Sequence, residues 1–142
     1  MTLRYLTEHE ARLALQLPYY LATVPAGFPS PAEDYIDKRL DLNEFLISHP
    51  AATFFCRVSG QSMQGIGIFD GDLLIVDRAA ERRNGAIVVA AVDGELTCKI
   101  LDIKAQQLRS ANPDYPPITI GDMDLCIEGV VTHSVRTHDR PN

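Results

Sequence analysis

The sequence predicts a mainly β domain that carries an extended N-terminal arm and one or two short helices. Three observations carry that prediction. From Thr53 to Val135 the chain is a series of short apolar runs separated by turn residues, with no helical pattern between them. Within it, 86-AIVVAAVDGELTCKIL-101 sets Asp93-Gly94 between two strand-like runs, a strong short-range hairpin signal. Before it, 21-LATVPAGFPSPAEDY-35 holds Pro25, Pro29 and Pro31 around Gly27. Proline fixes φ and lacks a donor, so that segment is extended and non-helical. The expected division is an arm over 1–52, a β domain over 53–136 and a loose tail over 137–142.

In chain order, 7-TEHE-10 is a capping box with Thr7 as N-cap and Glu10 at N3. It opens a short helix through Leu13 and Leu17 that Pro18 stops. After the proline-rich arm comes the charged run 33-EDYIDKRLD-41. A second capping box, 41-DLNE-44, starts a short helix bearing Leu42, Phe45 and Leu46, ended by Pro50. Strands are expected at 53–58, 73–77, 86–92, 95–101, 106–110 and 125–135. The segment 136-RTHDRPN-142 is expected to be loose.

Bulk composition excludes several classes. The chain has 142 residues, enough for one sizeable core, and its 46% hydrophobic content argues against disorder. A formal net charge of -6 disfavours sequence-independent attraction to nucleic-acid phosphates. No run approaches a membrane span, and the N-terminus lacks the apolar core of a secretory signal, so a cytoplasmic location without membrane attachment is expected. Cys56, Cys98 and Cys126 are odd in number, lie in apolar strand-like runs and form no zinc spacing; they read as buried reduced thiols. His9, His49, His133 and His138 make no ligand set either, so neither a metal nor a cofactor is expected.

The Asp93-Gly94 turn fixes a register in which Val92 meets Glu95, Ala90 meets Thr97 and Val88 meets Lys99. The opposite face, with Ile87, Val89, Ala91, Leu96, Cys98 and Ile100, is entirely apolar and is the better main core. Lys99 therefore projects among small apolar neighbours. Desolvation disfavours an ammonium, so such a lysine can be neutral and accept a proton; the alternative is a stem along the sheet and a head in water. A hydroxyl stands in an exposed turn at 58-VSGQSM-63, where Gly60 permits a tight bend before Ser62. The Ser62 N–H is placed to face an oxyanion and Met63 to line a pocket. Alone, that serine also fits a plain turn or a helix N-cap.

The order S-G-x-S-M, then D-G-D-x-x-[IV]-V-D, then a G-x-[IV]-V hairpin ending in lysine resembles the self-cleaving Ser-Lys peptidases of the LexA/UmuD type. The matching stretches are 59-SGQSM-63, 70-DGDLLIVD-77, 85-GAIVVAAVDGELTCK-99 and 128-EGVVTH-133. The resemblance implies a LexA/signal-peptidase-like β catalytic domain, Ser62 as nucleophile and Lys99 as general base. It also gives the arm a meaning. Such proteins cut themselves between a small residue and glycine upstream of the catalytic domain, and Ala26-Gly27 in 24-VPAGFPSP-31 fits that bond.

Only 26 residues precede that bond, and they offer one short helix with balanced charge, which does not suit a helix-turn-helix. The chain is thus similar to the UmuD-like branch rather than to a truncated LexA-type repressor. That branch implies a homodimer induced by DNA damage in the SOS response, self-cleavage stimulated by a RecA filament on single-stranded DNA, and assembly of the cut dimer with a UmuC-type Y-family polymerase for error-prone translesion synthesis. No direct sequence-specific DNA binding is implied. A non-catalytic polymerase-binding β module is the alternative from another class.

Overall fold

The computed structural model describes residues 16–20, 26–27, 36–121 and 125–139. These fall into two compact units, one ending at Ser48 and the other beginning at His49.

In the first unit, β1 (Gln16–Tyr20) pairs antiparallel with β2 (Ile36–Asp41), from Gln16 opposite Asp41 to Tyr20 opposite Ile36. The expected helix through Leu17 to Pro18 is therefore corrected: both residues lie in a strand, because an extended partner is available to them. Pro18 is tolerated there because each strand of a two-stranded sheet has a free edge. The capping box at Thr7 lies outside the described residues. The second capping signal is observed as α1 (Leu42–Leu46), where Asp41 Oδ1 accepts the Asn43 N–H at 2.9 Å. This helix stops at Leu46, short of Pro50, since it buries no residue that would extend it; Pro50 instead starts a 3-10 turn.

The second unit is a seven-stranded sheet: β3 (Thr53–Arg57), β4 (Leu73–Asp77), β5 (Ile87–Val92), β6 (Glu95–Asp102), β7 (Gln107–Arg109), β8 (Ile118–Thr119) and β9 (Leu125–Val135), in the order β3-β4-β9-β5-β6-β7-β8. The mainly β class holds. The β5–β6 hairpin has the register that the turn dictates, with Val88 opposite Lys99, Ala90 opposite Thr97 and Val92 opposite Glu95. Asp93 and Gly94 take φ of 49° and 82°, the two positive values a type I′ turn requires. The long strand β9 binds the two hairpins together, pairing with β4 and β5.

Apolar residues pack on both faces of this sheet. One core gathers Phe54, Cys56, Met63, Leu74, Val89 and Cys98; the other holds Val88, Ala90, Leu101 and Leu108. Gly129 on β9 is a close-approach point, since a Cβ there would sit 2.8 Å from Val76 Cγ1 and 3.2 Å from the Asp77 carbonyl oxygen. Gly129→Ala should cost about 1–3 kcal/mol by overpacking. Its urea midpoint should fall accordingly, and an unchanged midpoint would show that the sheet yields at this place.

Cys56 and Cys98 are buried as expected, and burial pushes their thiols up to about 11 and about 12. Neither is a nucleophile near neutrality. Cys126 departs from the expectation: it is exposed on β9. Among the described residues no cluster of His, Cys, Asp and Glu could hold a metal ion, and no helix is long and apolar enough to cross a membrane.

Candidate active site

The segment from Val58 to Asp72 is a closed loop. Val58 N–H donates to the Asp72 carbonyl at 2.8 Å, Gly71 N–H returns to the Val58 carbonyl at 2.8 Å, and Gly60 N–H donates to Asp70 Oδ1 at 2.8 Å. The D-G-D turn thus fastens the base of the loop that carries Ser62. Gly60, at φ 103°, turns the chain sharply just before it. Ser62 is not a helix N-cap: Met63 holds that place before a 3-10 turn over Gln64–Ile66. Met63 is 2% exposed and packs in the core, so its side chain anchors the loop instead of lining a pocket. Among the described residues, the backbone N–H groups of Ser62 and Met63 donate no hydrogen bond, which leaves both for a ligand oxygen.

A second loop, after β7, fixes Ser62 from outside. Ala111 N–H donates to the Ser62 carbonyl at 2.8 Å, Gly65 N–H donates to the Ala111 carbonyl at 2.7 Å, and Asn112 Nδ2 donates to the Gln61 carbonyl at 3.0 Å. Sequence reasoning missed this loop, because nothing local to Ala111 or Asn112 announces a partner some fifty positions away.

The same loop reaches Lys99. Its Tyr115 ring lies 5.8 Å from Lys99 Nζ. Lys99 is 7% exposed and, among the described residues, has no hydrogen-bond or ion-pair partner. Burial holds its amine below the ordinary lysine value; nearby Cys98 opposes that weakly. Lys99 also lines a groove of about 580 Å³ with Leu96, Thr97, Ile118 and the acids Asp93 and Glu95. The structure therefore ties both residues to one loop, Ser62 through Ala111 and Lys99 through Tyr115. No hydrogen bond joins Ser62 Oγ to Lys99 Nζ among the described residues. Ala26 and Gly27 are exposed and lie in the connection between β1 and β2, in the other unit.

The residue after β9 is not loose. Arg136 grips the buried Asp72 with two bonds of 2.9 Å, donates to the Gly67 carbonyl at 2.6 Å, and stacks 4.1 Å from the Phe69 ring centre. This clamp closes the far end of the Ser62 loop. The Arg136 guanidinium holds the Asp72 carboxyl below the usual carboxylate range, against the upward push of burial. Burial pushes Asp77 up as well, but His49 at 2.6 Å and the N–H groups of Ala79 and Ala80 outweigh it and keep that carboxyl low. Both acids thus bind protons more weakly in the folded chain than in the unfolded one. They add stability above about pH 4 that is lost as pH falls through their folded values. Urea denaturation at falling pH should show this loss, and Arg136→Ala should remove the Asp72 share of it while the Asp77 share remains; an unaltered slope would mean that the clamp stores no such stability.

Comparison with known proteins is consistent with this layout. A family model described as peptidase S24-like matches residues 18–132. The chain is 47% identical over 119 residues to Protein ImpA of Salmonella typhimurium, covering 83% of this chain and 82% of that protein. It is 44% identical over 125 residues to Protein MucA of Escherichia coli, with 86% of each covered. It is also 38% identical over 123 residues to the LexA repressor of Shewanella baltica, covering 84% of this chain and 59% of the repressor.

Proposed function

This chain belongs to the peptidase S24-like family of LexA/UmuD-type proteins, and from that premise we propose that it cuts its own Ala26-Gly27 bond with Ser62 as nucleophile and Lys99 as general base. The observation that carries this reading is Lys99, a residue only 7% exposed whose amine makes no ion pair among the described residues and which burial holds below the ordinary lysine value. A lysine desolvated and held out of ion pairs is a candidate for proton transfer.

Neutral Nζ takes the proton from Ser62 Oγ as the oxygen attacks the Ala26 carbonyl carbon. The resulting oxyanion is received by the unengaged N–H groups at Ser62 and Met63. Collapse breaks the bond to Gly27, whose amine leaves with the proton returned from Lys99. Water, deprotonated in turn by Lys99, then releases residues 1–26 from the acyl-enzyme.

The wider role follows the UmuD-like branch: a cytoplasmic homodimer whose cleavage is stimulated by a RecA filament on single-stranded DNA, and whose cut form joins a UmuC-type polymerase for error-prone synthesis during the SOS response. The filament would act by favouring the docked arm, a population shift without new chemistry. Alkaline incubation of the purified chain tests the catalytic part. Mass spectrometry should find a fragment beginning at Gly27. An intact chain would leave the second reading, a non-catalytic polymerase-binding β module, which the missing Ser62–Lys99 hydrogen bond favours.

A further inference from the structure

A lysine that makes no ion pair among the described residues still has to rest against something while it carries its proton. The contact its amine does make is with the Tyr115 ring, whose centre lies 5.8 Å from Nζ. That is inside the ~6 Å over which a ring face attracts an ammonium. Asn112 holds the turn that carries the ring. Its carbonyl accepts the Tyr115 N–H at 3.1 Å, its Oδ1 accepts the Asp114 N–H at 3.0 Å, and its Nδ2 donates to the Gln61 carbonyl at 3.0 Å. Pro113, Pro116 and Pro117 fix φ on both sides of Tyr115. Gln61 precedes Ser62, and the Ala111 N–H donates to the Ser62 carbonyl. The ring over Lys99 and the backbone of Ser62 are therefore parts of one hydrogen-bonded frame.

We infer that Tyr115 is a positioning residue that holds Lys99 in check: its ring face attracts the ammonium and not the neutral amine, so the side chain rests on the ring until it loses its proton. The inference rests on the Ser62–Lys99 reading above. The attraction acts on charge, since the negative face of the ring's quadrupole meets the positive nitrogen. A neutral amine feels little of it and is free to turn toward a proton donor. The ring thus opposes burial: desolvation favours the amine, whereas the ring face favours the ammonium. The other titratable or charged groups on the elements around Lys99 are Cys98 on its own strand, Asp93 and Glu95 in the groove, and Arg109 and Asp114 on the segment after β6. Arg109 is paired with Asp102 at 3.2 Å. Strand β5 opposite and residues 58–66 of the Ser62 loop carry none. Tyr115 is 44% exposed, so its replacement disturbs no core.

Self-cleavage of the full chain between about pH 7 and about pH 11 tests this. Tyr115→Leu keeps an apolar cover over the amine and removes the ring face. The midpoint of its profile should fall by about 0.5 to 1 unit. Well below the midpoint, where the rate follows the neutral fraction, it should cut itself about three- to tenfold faster. The gain should vanish at the alkaline plateau, where no ammonium is left to hold. Tyr115→Phe keeps the ring face and should keep the natural midpoint. The same order should appear without any cleavage in the Ser62→Ala chain: NMR titration of the Lys99 side chain should move to lower pH with Tyr115→Leu and stay in place with Tyr115→Phe. If Tyr115→Leu leaves both midpoints unchanged or raises them, the ring only shields the amine, and the inference is overturned while the dyad stands. It is overturned likewise if Tyr115→Phe shifts them as far as leucine does. If Lys99→Met cleaves normally, the dyad itself fails, and the check on cleavage falls with it even where the NMR titration moves.

Discussion

Lys99→Met should abolish self-cleavage and at the same time make the protein more stable. Without the base, Ser62 keeps its proton, and the rate should fall about a thousandfold or more even in alkali. Ser62→Ala should be equally inactive. The stability gain has a definite sign. Burial depresses the lysine value in the folded chain, so between the folded value and the ordinary one, near ~10.4, the unfolded chain holds a proton that the folded chain lacks. Stability of the natural chain therefore rises with pH through that window. Below it, folding must partly desolvate an ammonium that makes no ion pair among the described residues. Methionine has a similar reach and no charge to desolvate, so the gain should be greatest near neutral pH and vanish above about pH 10.5. Thermal melts at several pH values would show it. For the same reason the natural chain's cleavage rate should climb through a midpoint below that of free lysine. A midpoint at the ordinary lysine value would mean a solvated amine, and a Lys99→Met chain that still cuts itself would remove the base altogether.

The parts of this molecule that were legible in the sequence are those whose cause is local. Asp93-Gly94 admits one tight turn, and that turn sets every pair from Ile87–Ile100 to Val92–Glu95. Lys99 could therefore be placed on its face of the hairpin before any coordinates were known. The long apolar run 125–135 likewise reads as one strand and is one. What was not legible depends on partners distant in the chain. The strand Gln16–Tyr20 exists because Ile36–Asp41 lies beside it, and the short spacing of Leu13 and Leu17 points just as well to a helix. Met63 looks like a pocket residue beside an exposed serine until the core formed by Phe54, Leu74 and Val89 surrounds it. Arg136 looks like the start of a free tail, yet a carboxylate 64 positions earlier captures it. The serine and the lysine were visible as residue types; the loop 110–115 that holds both was not.

That loop makes Gly65 the most consequential position outside the proposed dyad. A Cβ built at Gly65 would overlap the Ala111 carbonyl oxygen and lie 3.2 Å from its carbon. Both are backbone atoms, so no side chain can swing aside to make room. The two segments must separate, and the 2.7 Å bond from Gly65 N–H to that same oxygen breaks. The Ala111 to Ser62 bond at 2.8 Å and the Asn112 to Gln61 bond at 3.0 Å lie alongside and loosen with it. Gly65→Ala should therefore cost about 2–3 kcal/mol in folding. Its larger effect should be on chemistry, because a shift of about 1 Å at the nucleophile can cost about a hundredfold in rate. Cleavage at alkaline pH should drop by that order under conditions where circular dichroism still shows a folded sheet. The disproportion is the diagnostic point: Gly129→Ala disturbs β9 against Val76 and Asp77 without touching the Gly65–Ala111 contact, and should lower stability while leaving the cleavage rate of the folded fraction nearly unchanged. If the two variants lose rate and stability in the same ratio, the contact between Gly65 and Ala111 is ordinary packing, and Ser62 owes its position to something else.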